Sequence, residues 1–303
     1  MLTLTHFLNA FLMLTLPVAL WLFLARRWRL GWRLVGLGAL MFIGSQVFHL
    51  PVVYGLTALF QTGVLPHVPE AWAPAFNIFV LALLAGLFEE TARYIGYRWL
   101  APQARTWREA VVYGAGHGGI EAVITGGLTL VAFFQLVGLQ NTDISTLPIP
   151  ADQQAALAAQ VQTYWSLAWP LTLLGAVERV LAMTLHITLS VLVLQVLVRR
   201  NWLWWAAAVL WHALANAVAL GVLQLVGANT PAGALAAEGA LAVIILISLG
   251  ILFRLRAAPE TPAALEPRGE PTPAVTGPAP EPAPFSPAPA APAEKIDDSR
   301  YTQ

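Results

Sequence analysis

Apolar residues gather along this chain in seven long blocks, near residues 6–25, 32–55, 75–100, 109–138, 167–198, 202–227 and 234–255. Each reaches the roughly 18–20 residues that cross a bilayer as a helix. The fourth and fifth exceed that need, so tilt or extension beyond the bilayer is expected. The expected fold is all-α: a polytopic bundle of about seven transmembrane helices in residues 1–256. The first block has Arg26, Arg27 and Arg29 after it and no Lys or Arg before it. A cleaved signal peptide shows the opposite order, so this block is expected to be a retained span. The pattern stops at residue 257. Twelve of the 22 prolines fall in residues 257–303, among Ala, Glu and Thr. Such a composition buries no core and predicts a disordered tail that the chemistry does not need. No duplicated halves of the kind common in transporters are evident.

Composition sharpens this picture. The chain is 58% hydrophobic and 11% charged, about half the charge of a soluble domain. Its mean hydropathy is +0.67. The lipid bilayer is thus an expected partner. Nucleic acid is not, because the net charge is zero and the basic residues sit in short loops. The absence of cysteine excludes disulfides and thiolate metal sites, leaving His, Glu, Asp and Asn as possible ligands. Arginines occupy alternate loops: Arg26 to Arg33, Arg98 to Arg108, Arg199 with Arg200, and Arg254 with Arg256. The other loops carry only His67, Glu70, Asp143, Asp152 and Glu238 as ionisable groups. The positive-inside rule then predicts an outside N-terminus and a cytoplasmic C-terminus. Trp202, Trp204 and Trp205 mark the inner interface, and Trp165 and Trp169 the outer one.

Ionisable residues inside the apolar blocks carry the chemistry. A charge at the bilayer centre costs roughly 2.5–3.5 kcal/mol on insertion scales, so such residues are rare unless paired or used. The third block contains Phe88-Glu89-Glu90-Thr91-Ala92-Arg93. Arg93 can pair with Glu90 at i+3 or with Glu89 at i+4. Adjacent helical residues diverge by about 100°, so one glutamate is held while the other can face the bundle interior as a general base or acid. The blander reading is a buried ion pair that only fixes packing. The fourth block contains Gly114-Ala115-Gly116-His117-Gly118-Gly119-Ile120-Glu121. His117 and Glu121 share a face, and the glycines admit a close neighbour. A plain helix crossing with one His–Glu bond is the alternative. The fifth block carries Glu178, Arg179 and His186, with Ser190 one turn on. Glu178 and Arg179 lie nearer the outer end, as a structural pair or along an access route. The sixth carries His212 with Asn216 at i+4, an amide suited to orienting the ring or stabilising an oxyanion. Counting inward at about 1.5 Å per residue puts Glu90 and His212 about 15 Å deep, His117 about 12 Å, and Glu121 and His186 about 18 Å. One shared layer predicts one site, provided the four helices enclose a common cavity.

These motifs resemble a known family. Glu89-Glu90-x-x-Arg93, a later His and the final His212-x-x-x-Asn216 resemble the signature of the type II CAAX-protease superfamily, with the PrsW-like proteases and the APH-1 subunit of γ-secretase. The Gly-His-Gly-Gly-x-Glu block and the Glu-Arg-to-His spacing are most similar to the YhfC family of intramembrane metalloproteases. The resemblance implies a seven- or eight-helix bundle and peptide-bond hydrolysis at or within the membrane. By position, Glu89 or Glu90 is the general base, and Asn216 supports the oxyanion. His186 and His212 hold metal or polarise water, and His117 and Glu121 complete the metal site. Arg93, Glu178 and Arg179 support these residues. Either His117, preceded by Tyr113 at the motif spacing, or His186, preceded by Ala182, stands as the middle histidine.

The expected function is therefore intramembrane endopeptidase, acting on a membrane-anchored protein or peptide through a water that glutamate activates and a metal holds. Imidazole and carboxylate ligands without thiolate favour zinc, and a metal-independent glutamate mechanism is the near variant. The expected location is a bacterial cytoplasmic membrane. Two rivals come from other classes. Intramembrane Glu and His also serve proton- or ion-coupled transporters, and an APH-1-like scaffold would use the layer to bind partner helices. The missing duplication opposes the first, and the retained glutamates oppose the second.

Overall fold

In the computed structural model, residues 1–256 are described; the expected tail at 257–303 lies outside the described residues. The fold is all-α. Eight helices follow one another: α1 (Leu2–Trp28), α2 (Trp32–Gln61), α3 (Ala73–Ile95), α4 (Trp107–Leu139), α5 (Ala151–Ser166), α6 (Leu174–Val198), α7 (Leu203–Val226) and α8 (Pro231–Arg254). All but α5 are long and apolar enough to cross a membrane, so the described residues contain seven candidate spans, as the hydropathy blocks predict. Helix α5 is the addition. Its Asp, Gln and Thr content hides it from a search for apolar runs. It is tied down where His6 stacks on Tyr164 at 3.8 Å and the Trp165 indole N–H donates to the Leu136 carbonyl.

Local chemistry sets the helix ends. Thr106 and Glu109 form a reciprocal capping box at the start of α4, satisfying backbone N–H groups that would otherwise lack partners. Thr230 caps α8, with Pro231 in its first turn. Helix α3 runs on into a single π turn, Gly96–Leu100, which stacks Tyr97 on Tyr113 of α4 at 4.4 Å.

Helix α6 forms the axis. Its membrane window is 67% buried, against 22–33% for the other spans. It packs on α4, α8, α7 and α3, while α4 also packs on α1 and α2, and α3 on α7 and α2. Large apolar side chains such as Phe48, Leu128, Leu210 and Leu246 face outward. Glu89, Glu90, Arg93, His117, His186 and His212 are buried instead. That is the distribution expected of helices whose surroundings are lipid.

Close approach at two crossings brings the polar layer together. A Cβ on Gly114 would lie 2.6 Å from the Ile187 Cα, and one on Gly118 would lie 2.8 Å from the His186 Cβ, so α4 and α6 touch along their backbones. A Cβ on Gly86 would lie 2.7 Å from the Val209 carbonyl oxygen, which sets α3 as tightly against α7. Gly114→Ala is expected to destabilise the bundle by about 1–3 kcal/mol, the usual cost of overpacking. Gly127→Ala, where nothing lies within 4 Å of the new Cβ, is expected to be neutral. Thermal unfolding of the detergent-purified variants checks both, and equal midpoints would show that the crossing is not tight.

Candidate metal centre

Helix α3 presents its two adjacent carboxylates in different directions. Glu90 is fully buried. Its Oε2 pairs with Arg93 Nε at 3.2 Å and its Oε1 accepts from His212 Nδ1 at 2.8 Å. Glu89 turns toward a cavity. Its Oε1 accepts from the Gln46 amide at 3.2 Å, and its Oε2 lies 3.2 Å from His117 Nε2. The Arg93 pairing that sequence left open thus falls on Glu90, and Glu89 is the carboxylate left facing the interior.

Arg93 continues across to α6. One Nη donates to the His186 carbonyl at 2.6 Å and to Ser190 Oγ at 2.8 Å, and the other stands 3.1 Å from His186 Nδ1. On the far side of that ring, Nε2 lies 2.7 Å from Glu121 Oε2. That is ion-pair distance, so Glu121 joins the His186 ring to Arg179. Glu121 Oε1 accepts from Arg179 at 2.8 Å, and Arg179 also donates to Glu178 at 2.5 Å. The Glu178–Arg179 pair is therefore anchored to α4 rather than isolated.

A cavity of about 110 Å³ opens beside this layer, lined by Glu89, Glu121, Glu178, Arg179, His186, His212 and Asn216, with small and aliphatic neighbours. Glu90 and His117 stand behind it. Glu90 orients His212, and His117 abuts Glu89 and packs edge-on to Phe42. Of the two candidate middle histidines, His186 lines the cavity and His117 does not. His212 bonds Glu90 rather than its helical neighbour Asn216, and His117 meets Glu89 rather than Glu121. Gln46 belongs to none of the sequence motifs. A lone amide in an apolar span, one turn from His49, was its only signal.

Glu89, His186 and His212 are buried, and one donor atom from each lies within 4.8 Å of the others. They are close enough to hold a metal ion. Two imidazoles and one carboxylate are an established donor set for zinc sites that keep a position open. His212 fits this role directly: Glu90 takes its Nδ1 and leaves Nε2, the carboxylate–histidine arrangement common behind metal ligands. His186 is flanked by Arg93 on one nitrogen and Glu121 on the other. Ligation there requires the ring to exchange one of those contacts.

The model of the YhfC intramembrane metalloprotease family matches residues 12–234, and the chain belongs to that family. The uncharacterized membrane protein YhfC of Bacillus subtilis (strain 168) is 31% identical over 211 residues, which cover 68% of this chain and 79% of the relative. No solved structure matches. At family level, then, the chain belongs among proteins described as intramembrane metalloproteases.

The Glu90–Arg93 pair generates a direct test. Removing one partner strands a buried charge, at a cost of about 3–5 kcal/mol. Arg93→Met and Glu90→Gln are each expected to destabilise strongly, and the double variant by much less than their sum. Additive losses in thermal unfolding would show that the two side chains do not act as a pair.

Proposed function

We propose that this protein is an intramembrane endopeptidase that hydrolyses peptide bonds of membrane-anchored protein or peptide substrates, with zinc held by Glu89, His186 and His212. The observation that carries the reading is the meeting of these three donors, from three helices, at one small polar cavity. Bound there, zinc would polarise the scissile carbonyl and bring the pKa of a water down to about 7.

The chain's own groups supply the rest. Glu121 lines the cavity, with Oε1 fixed by Arg179 and Oε2 against the His186 ring. It takes the proton from the attacking water and returns it to the leaving amine. The Asn216 amide donates to the oxyanion. Glu90 holds the His212 ring, and His117 with Gln46 holds the Glu89 carboxylate. This assignment moves Glu89 from base to ligand and His117 from ligand to orienting group, because Glu89 and not His117 borders the cavity. It gives the base role to Glu121, since Glu121 lines the cavity and Glu90 does not. The loop arginines support an outside N-terminus, and the shared motifs support kinship with the CAAX-protease superfamily.

The test is metal content beside peptidase activity on fluorescently labelled casein, using chain purified without chelator. About one zinc per chain is expected, lost in His212→Ala. Glu121→Gln is expected to keep the zinc and to lose about 10²–10⁴-fold in rate. Asn216→Ala is expected to keep the zinc and lose about 10²–10³-fold. A chain that takes up no zinc after add-back has no metal centre. A zinc-loaded chain that cleaves nothing while moving protons or ions across vesicles is a transporter.

A further inference from the structure

A second and larger cavity, about 450 Å³, lies apart from the polar layer, between α2 and α3. Its apolar wall includes Val53, Phe60, Phe76 and Leu84. Thr57, Gln61, His67 and Asn77 also line it. It stops one helical turn short of a stacked aromatic pair, one ring from each helix. Val53 is four residues from His49, and Leu84 is four residues from Phe88. His49 and Phe88 stack there with ring centroids 5.6 Å apart. Behind the stacked pair, the Gln46 Oε1 lies 3.2 Å from His49 Nδ1 while the Gln46 amide donates to Glu89. The series from groove to centre is thus Val53 and Leu84, then His49 on Phe88, then Gln46, then Glu89.

We propose that this groove receives the apolar segment of the peptide substrate, and that the His49–Phe88 pair is the gate between groove and metal centre. The proposal deepens the endopeptidase reading and rests on it. Three features favour a polypeptide over a phospholipid as the occupant. The polar groups on the wall are a hydroxyl, two amides and an imidazole, which match peptide N–H and C=O groups; no Lys or Arg lines it to pair with a lipid phosphate. A peptide must leave the helical state to be cut, and its freed backbone groups then need partners inside the membrane. His49 provides one. Its Nδ1 donates to the Gln46 carbonyl oxygen, which makes Nε2 an acceptor, and that nitrogen is buried without a partner. Pro51 lies between His49 and Val53 within α2 and removes one hydrogen bond from the helix at the gate. A substrate N–H bonded to His49 is connected through Gln46 to the Glu89 carboxylate, so docking and the metal centre are mechanically joined.

The experiment places the photo-crosslinker p-benzoyl-phenylalanine at Phe76, inside the groove, or at Phe134, an outward-facing position on α4. The full chain is reconstituted in phosphatidylcholine vesicles with a fluorescent Leu/Ala-rich peptide of about 20 residues as the probe. Peptide adducts are expected at least about tenfold more often at position 76 than at 134, and Val80→Trp, which fills the groove, is expected to cut them about tenfold, a change of about 1.4 kcal/mol in binding. The 76-against-134 comparison needs no groove-filling variant, so it decides even if Val80→Trp does not fold. Equal adduct yields at the two positions, or adducts at 76 to phospholipid alone, overturn the proposal. Zinc content is read on the same samples. A chain without zinc that still crosslinks at 76 refutes the metalloprotease reading and keeps the groove, whereas a zinc-loaded chain with equal yields does the reverse.

Discussion

Arg93 is closed off from bulk solvent. Its side chain is wholly buried in a bundle whose outer surface is built for lipid, and a guanidinium cannot shed its proton to escape the cost. It must find acceptors within the protein, and it finds them on two helices. Glu90 of α3 supplies the countercharge, and the His186 carbonyl and Ser190 hydroxyl of α6 supply hydrogen bonds. One cation therefore locks α3 to the axial helix. Glu90 then reaches on to His212 and brings α7 into the same lock. A buried ion pair of this kind adds little net stability over an apolar core, but breaking it is costly. What it secures here is position: the rings of His186 and His212 stand 5.3 Å apart at the edge of one cavity.

The adjacency of Glu89 and Glu90 follows from the same constraint. Two successive carboxylates on a helix cannot face one way. One is consumed in holding the lock, and its neighbour is delivered into the cavity by a backbone that the lock has fixed. The pairing repeats toward the other rim, where Arg179 joins Glu121 of α4 to Glu178 of α6. Each arginine thus ties a carboxylate of its own helix to a second helix. Glycines 86, 114 and 118 permit the backbone distances on which these short side-chain contacts depend.

The architecture was largely legible in the sequence because hydropathy in a bilayer is a one-dimensional signal. All seven apolar blocks correspond to helices of spanning length. Helix α5 was not legible, since it is polar and short and depends on His6, about 160 residues away, for its anchorage. Depth counting put Glu90, His117, Glu121, His186 and His212 in one layer, and the structure brings those side chains together. Partner choice was the illegible part. Helical spacing offers i+4 partners, yet His117 pairs with Glu89, His212 with Glu90 and His186 with Glu121, all across helices. Spacing along one helix cannot report which neighbour lies opposite. Gln46 shows the same limit, because its importance comes wholly from facing Glu89 on a different helix.

The central claim is that three particular side chains form the ligand set of a zinc site in this layer. X-ray absorption at the zinc edge, on the zinc-loaded full chain in detergent, tests it most directly. Two imidazoles and at least one oxygen ligand are predicted, with zinc–nitrogen distances of about 2.0–2.1 Å. A shell of oxygen alone, or of three imidazoles with His117 recruited, would contradict the account.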